Sequence, residues 1–383
     1  MKRTQVDAGI LLLVRAGSHA YGTSLPTSDI DLRGVFVPPR DHILGLRRVE
    51  QYEERGSPAT ATQPEQPDLV VYELRKYMAL AADANPNILE IVFVEEGDVL
   101  QQSESGRKLR AHRHLFLSKK AKYTFSGYAT AQLKRIESHR RWLLHPPGAP
   151  PQRRDFGLPE RTIIPKDQLA AAEALIRKQV AEWENTLPSF GIDVTDSAAM
   201  IELRERMVAT LTAMGLASDE ARLRAAGRKI GLDDNFIELL DREHKYAQKS
   251  REWDSYRKWC DERNETRAEL ERRHGYDTKH GMHLVRLMRM CREILTLGEI
   301  RVRRPDAAEL LAIRAGAWSY ERLLDFARQQ EAELSALYQT CTLPHTPDHE
   351  RINELCCELI EAQLWGSGHA GAGRGARADV DRS

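Results

Sequence analysis

The apolar run Ile10-Leu11-Leu12-Leu13-Val14 reads as a strand buried on both faces. Gly17-Ser18 breaks that pattern. A second strand is expected to carry Asp29 and Asp31 and to continue through Val35-Phe36-Val37 to a stop at Pro38-Pro39. The segment 41–67 reads as a short strand or turn around 43–49, then a polar loop over 56–67. Strand character resumes over 68–72, and 74–84 has helical spacing. Asn85-Pro86 marks a turn before an apolar run that one acid, Glu90, interrupts.

From 105 onward the spacing is helical almost throughout. Helices are expected through 119–136, 166–185, 197–213 and 233–274, from a start near 278, and over 307–314, 319–338 and 347–364. Charges of both signs alternate over 241–273, the mark of a mostly exposed helix. Between 145 and 161 prolines alternate with Arg153, Arg154 and Arg161, which suggests a mobile basic linker. Beyond Trp365 a Gly-rich tail is expected to be disordered. The organisation predicted is α+β: a domain over 1–105, a helical connection over 106–145, a Pro/Arg-rich loop over 146–165, a helical domain over 166–365 and a tail over 366–383.

Asp29 and Asp31 stand two residues apart, so in a strand both carboxylates fall on one face. They repel each other unless a divalent cation lies between them, and hard oxygen donors suit Mg²⁺, with Mn²⁺ the alternative. Backbone N–H groups after Gly17 and Ser18 can face a phosphate. Glu90 must be paired, metal-bound or at a rim; a metal or substrate role and an ion pair with Arg75 or Lys76 are both open. Lys120 belongs to a basic, aromatic-containing helix start that suits a triphosphate or RNA backbone, or else a solvated face over core aromatics. On a helix beginning near 278, Lys279, His283 and Arg286 share one face, while Leu284, Leu287 and Met288 line another. Three such cations favour an anion, and a nucleoside triphosphate supplies one. Asp277 can cap that helix or orient His280; the alternative is a buried helix whose histidines belong to the core.

Composition narrows the classes. A chain of 383 residues permits two domains or more, and 41% hydrophobic residues support a core. Lys+Arg and Asp+Glu are each 57, so no whole-molecule field steers the chain to nucleic acid, and any basic surface is local. No run of about 18 apolar residues is present, so no membrane partner is expected. Met1-Lys2-Arg3 leads toward a short strand rather than a signal-peptide core. Five cysteines without zinc-like spacing predict a reduced, cytoplasmic protein without disulfides.

A strand, Gly-Ser and then Ser-Asp-x-Asp on a second strand resembles the nucleotidyltransferase domain of the DNA polymerase β superfamily. Three stretches narrow that resemblance: Gly17-Ser18-His19-Ala20-Tyr21-Gly22-Thr23 with Ser28-Asp29-Ile30-Asp31-Leu32-Arg33-Gly34, then Leu74-Arg75-Lys76-Tyr77 with Asn85-Pro86-Asn87, then Tyr276-Asp277-Thr278-Lys279-His280 with His283 and Arg286-Leu287. Together they resemble the RNA-repair-pathway, RNA-ligase-associated branch, over roughly 8–100 and 270–325. The resemblance implies a small mixed sheet with helices, followed by a large helical region. It implies a metal-dependent enzyme transferring a nucleoside monophosphate from an NTP to an acceptor hydroxyl, with RNA ends as the suspected acceptor.

Asp29 and Asp31 would then hold two Mg²⁺ ions, joined by a third carboxylate from a neighbouring strand, with Asp68 the first choice and Glu73 the second. Gly17, Ser18, Tyr21, Thr23 and Ser28 would surround the nucleotide, with Lys279 and Arg286 neutralising its charge from the helical side. Two other readings share the same residues: adenylylation of a protein or small molecule, as in antitoxin-like relatives, and a catalytically silent nucleotide- or RNA-binding module.

Overall fold

The computed structural model describes residues 1–57, 66–162, scattered positions between 165 and 178, 219–263 and 265–366. The chain divides into two units, Met1–Leu144 with Asn264–Ser383, and His145–Arg263. The first unit carries strands β1 (Ile10–Ala16), β2 (Asp31–Phe36), β3 (Gln51–Glu54), β4 (Asp68–Glu73) and β5 (Val99–Gln102), ordered β3-β4-β2-β1-β5. β1 runs antiparallel to β2 and β5, β3 antiparallel to β4, and β2 parallel to β4. This is the α+β class with the mixed sheet that was expected.

Helices α1 (Arg3–Gly9), α2 (Gly17–Tyr21), α3 (Arg40–Ile43), α4 (Leu74–Ala82), α5 (Pro86–Phe93), α6 (Glu104–Ala111) and α7 (Ala121–Leu144) lie in the first segment of that unit. The second unit holds α8 (Asp219–Lys229) and α9 (Asp234–Glu262). The chain then returns with α10 (Glu265–His274), α11 (Thr278–Leu297), α12 (Ala307–Arg314), α13 (Tyr320–Thr340) and α14 (His349–Gly366). Caps set several of these starts: Glu73 accepts from the Lys76 N–H, Asn85 from Asn87, Asp277 from His280 and Ser319 from Arg322.

Strand β1 is buried on both faces because two cores meet there. Leu12 and Val14 join Val35, Tyr21 and residues of α4 to α7 and α11 in the larger core. Leu13 faces the other way, with Phe36, Leu69, Val71 and Val6. The second unit has a small cluster of its own, Ala172, Ile176, Ala226 and Leu240.

Several expectations need correction. The chain start is a helix, α1, held by an Arg3–Asp7 pair at 2.7 Å and by burial of Val6, where a strand approach was expected. Of the short strand or turn expected around 43–49, the structure has the turn, at 44–46 after a helical turn over 40–43, and the strand β3 begins later, at Gln51 opposite Tyr72. The expected 166–365 domain is divided between two units, 145–263 forming one and the residues from 264 grouping with 1–144 in the other. The Pro/Arg-rich loop is packed rather than a free linker. Arg153 forks onto Glu243 of α9, 2.9 Å to one oxygen, and lies over Tyr246, while Leu158 is buried. The helices expected over 166–185 and 197–213 fall largely or wholly outside the described residues, as do 58–65 of the polar loop and all of the tail after Gly366. The five cysteines are free thiols, and no described helix is long and apolar enough to cross a membrane.

Candidate active site

Asp31 opens β2 and Asp68 opens β4, and the parallel register pairs them directly. Paired residues on adjacent strands point to one side, so both carboxylates stand on the sheet face that Val35 and Tyr72 continue toward the larger core. The ladder extends one step further, with the Asp68 N–H donating to the Ile30 carbonyl at 3.0 Å. Asp29 lies in the approach to β2 rather than inside it and is exposed. The strand therefore starts two residues later than expected.

Ala16, the last residue of β1, pairs with Asp31, and the chain then turns at Gly17. Gly17 has φ +61°, a left-handed conformation that a side chain would strain. A Cβ there would stand 2.6 Å from Asp31 Oδ2, so the missing side chain is what admits the carboxylate. On the other oxygen, Arg33 Nη2 donates to Asp31 Oδ1 at 3.1 Å, and Arg33 Nη1 donates to the Asp68 carbonyl at 3.2 Å. Asp68 Oδ1 accepts from the Gly56 N–H at 2.6 Å. Arg33 went unremarked in the sequence, although it lies two residues from Asp31 and so on the same strand face.

Ser18 is half-buried at the start of α2, and its carbonyl accepts from the Thr23 N–H at 2.9 Å, which folds buried Thr23 under the helix. Ser28 closes the preceding turn, its Oγ accepting from the Leu25 N–H at 2.9 Å. Tyr21 points into the core. Its hydroxyl donates to Glu90 Oε2 at 2.5 Å, and burial pushes the phenol pKa well above its ordinary range. Arg286 completes the arrangement, ion-paired with Glu90 Oε1 and lying 3.9 Å over the Tyr21 ring. Burial works to lower the Arg286 pKa, but Glu90 outweighs it, so the guanidinium stays charged. Glu90 thus finds Arg286 as its partner, not Arg75 or Lys76. Arg75 instead holds Glu73, which caps α4 at the end of β4 remote from Asp68. Glu73 is removed from the carboxylate group on that ground.

Helix α11 begins as expected at Thr278 and carries the remaining candidates. Lys279 is exposed, its pKa lowered by burial of its stem and by Arg267 and Arg314, against the opposing pull of Asp277 and Asp29. That pull brings the first turn of α11 within electrostatic reach of the Asp29 carboxylate. Among the described residues Lys279 and Arg314 take part in no ion pair, whereas Arg267 is tied to Asp277. His283 is half-buried and held neutral, chiefly by burial and then by Arg286. The predicted cationic face therefore resolves into one exposed cation, Lys279, one neutral ring and one buried ion pair. Arg314, which sequence spacing could not connect to it, stands nearby. Asp277 both caps α11 and faces His280, 3.5 Å from Nε2. Lys120, just before α7, pairs with Asp83 at 2.6 Å.

Residues 2–144 match the family described as RNA repair pathway DNA polymerase beta family. A second match, 35% identical over 77 residues, is to an uncharacterized 38.9 kDa protein in the nrdC-mobD intergenic region of Enterobacteria phage T4. It covers 20% of this chain and 23% of that protein, so the chain spans under a quarter of the relative's length. No solved structure matches. Residues 2–144, which hold β1 to β5 and all three aspartates of the site, are thus the part of the chain that is similar to the RNA repair pathway DNA polymerase beta family.

Proposed function

We propose that this protein transfers a nucleoside monophosphate from an NTP to an acceptor hydroxyl, with an RNA end as acceptor. The observation carrying this reading is the register pairing of Asp31 with Asp68, with the bare backbone of Gly17 against Asp31 Oδ2. Such a site fits a hard divalent cation. Asp31 and Asp68 stand side by side at the starts of β2 and β4, exposed Asp29 lies two residues before Asp31, and the missing Gly17 side chain leaves room for one Asp31 oxygen. Bound by those residues, Mg²⁺ or Mn²⁺ would supply the charge that activates the attacking hydroxyl and stabilises departing pyrophosphate.

The chain's own groups do the rest. Gly17 and Ser18 set a backbone turn close enough for phosphate oxygens to approach, and Thr23 holds that turn. Lys279, with Arg314 behind it, faces the negative charge of the triphosphate from α11. Arg33 holds Asp31 in place through one oxygen and leaves the other toward Gly17. In the reaction the acceptor oxygen bonds to the α-phosphorus as its bond to the bridging oxygen of pyrophosphate breaks, and the hydroxyl proton is lost to water.

Incubating the full chain with each α-labelled NTP, divalent metal and either RNA or protein tests this reading. Label on RNA is expected. Label on protein would move the acceptor to an adenylylation target, and transfer to neither would leave a binding module.

A further inference from the structure

A second cluster of ligand-type side chains lies where α7 meets the start of α11. His139 of α7, Asp277 and His280 present Nδ1, Oδ2 and Nε2 within 4.8 Å of one another. The Asp277 oxygen is 3.6 Å from His139 Nδ1 and 3.5 Å from His280 Nε2. Those separations exceed a good hydrogen bond. They match instead the edges of a tetrahedron whose ligands sit about 2.0–2.1 Å from its centre, which are about 3.3–3.4 Å long.

We propose that His139, Asp277 and His280 bind a divalent transition-metal ion, Zn²⁺ by preference, at a site distinct from the Asp29, Asp31 and Asp68 carboxylates. Two imidazoles and one carboxylate are the borderline donor set that suits Zn²⁺ and not Mg²⁺. Their surroundings fit a metal. Asp277 is buried, and each histidine side chain is only 12% exposed. Arg267 also forks onto Asp277 Oδ2, donating from Nε at 3.1 Å and from Nη2, and Asp277 Oδ1 accepts the His280 N–H at 3.1 Å. Each carboxylate oxygen offers about two lone-pair positions, so an ion bound at Oδ2 takes the place of one arm of the Arg267 fork, while the other arm and the Oδ1 bond orient the ligand as outer partners do.

Such an ion would pin α7 to the first turn of α11, from which Lys279 projects. Its role is positional. The proposal stands on this cluster alone and does not need the transfer reaction to be right.

The test uses the full chain, freed of metal by chelation and dialysis, then titrated with Zn²⁺ by calorimetry and with Co²⁺ by visible absorption. One equivalent is expected, with a tetrahedral Co²⁺ band that excess Mg²⁺ does not displace and a rise in melting temperature on adding Zn²⁺. The Asp29→Asn/Asp31→Asn chain should bind equally. His139→Gln should lose more affinity than the roughly 10–100-fold that a missing outer partner costs. If His139→Gln does not fold, His280→Gln gives the same reading from the other ring. Undiminished Zn²⁺ uptake in either folded variant overturns the site, as does a wild-type chain that takes up no Zn²⁺ or shows no tetrahedral band.

Discussion

Arg286 and Lys279 lie seven residues apart on one helical face, yet the structure gives them opposite environments. Arg286 sits beneath the sheet face, ion-paired with Glu90 and covered by Tyr21, whereas Lys279 is exposed near Asp29. Removing Arg286 strands a buried carboxylate, so Arg286→Ala should cost about 3–5 kcal/mol of stability. It should leave the NTP affinity of the remaining folded protein unchanged. Lys279→Ala should do the reverse: NTP binding weakens by about 1.5–3 kcal/mol while the urea midpoint stays put. Equilibrium unfolding and nucleotide titration on the same preparations separate the two, and a Lys279→Ala chain that unfolds easily would remove that residue from the site. Asp29→Asn/Asp31→Asn should fold normally and transfer nothing; near-normal transfer would end the nucleotidyltransferase reading. Gly17→Ala tests the same corner from the backbone side. Its Cβ must displace Asp31 Oδ2 and adopt a left-handed φ, so transfer should fall sharply for a stability loss of only about 1–2 kcal/mol. The aspartates could be read from spacing because strand alternation is local. What faces Arg286 could not, since Glu90 lies 196 residues away in the chain.

Elements with strong period and clear caps match their expected bounds closely. Helix α12 spans Ala307–Arg314 as spacing predicted, and α11 starts at the residue after its Asp277 cap. The short edge strands β3 and β5 were misplaced or missed, because four-residue strands take their identity from the partner they pair with. The Pro/Arg-rich stretch failed for a related reason. Its composition suggests a linker, but Arg153 is fixed by two bonds to Glu243, a residue only 5% exposed. Glu243→Ala should therefore free the loop. Limited trypsin digestion of the intact chain is expected to spare Arg153 and Arg154, and of the variant to cut there first. Equal cleavage of both would mean the fork does not hold the loop.

The inserted unit bears on the whole molecule, because the chain leaves the first unit at Leu144 and rejoins it at Asn264. The family resemblance over roughly 8–100 and 270–325 left the stretch between them unassigned, but continuous helical spacing hid where the first unit resumes. Every aspartate of the proposed site, Lys279 and the whole family match lie in the first unit. Every described residue of its two cores comes from 1–144 or 264–366. The two ends are also tied within that unit: Arg140 Nη1, near the end of α7, donates to the Gly275 carbonyl, just after α10, at 2.6 Å. α10 is about 15 Å long, so the gap to bridge is of that order. A flexible Gly/Ser bridge of about 12–15 residues has a root-mean-square span near 20 Å and reaches across without strain. Replacing 145–263 by such a bridge should leave a chain that melts cooperatively and binds NTP within about threefold of the full protein, a change under 1 kcal/mol. A chain that aggregates or melts without cooperativity would show that the insertion completes the fold despite the separate cores. If the excised chain binds NTP normally but no longer labels an RNA that the full chain labels, the insertion supplies the grip on the acceptor. Full labelling without it would place acceptor binding in the first unit, within reach of Lys279 and Arg314.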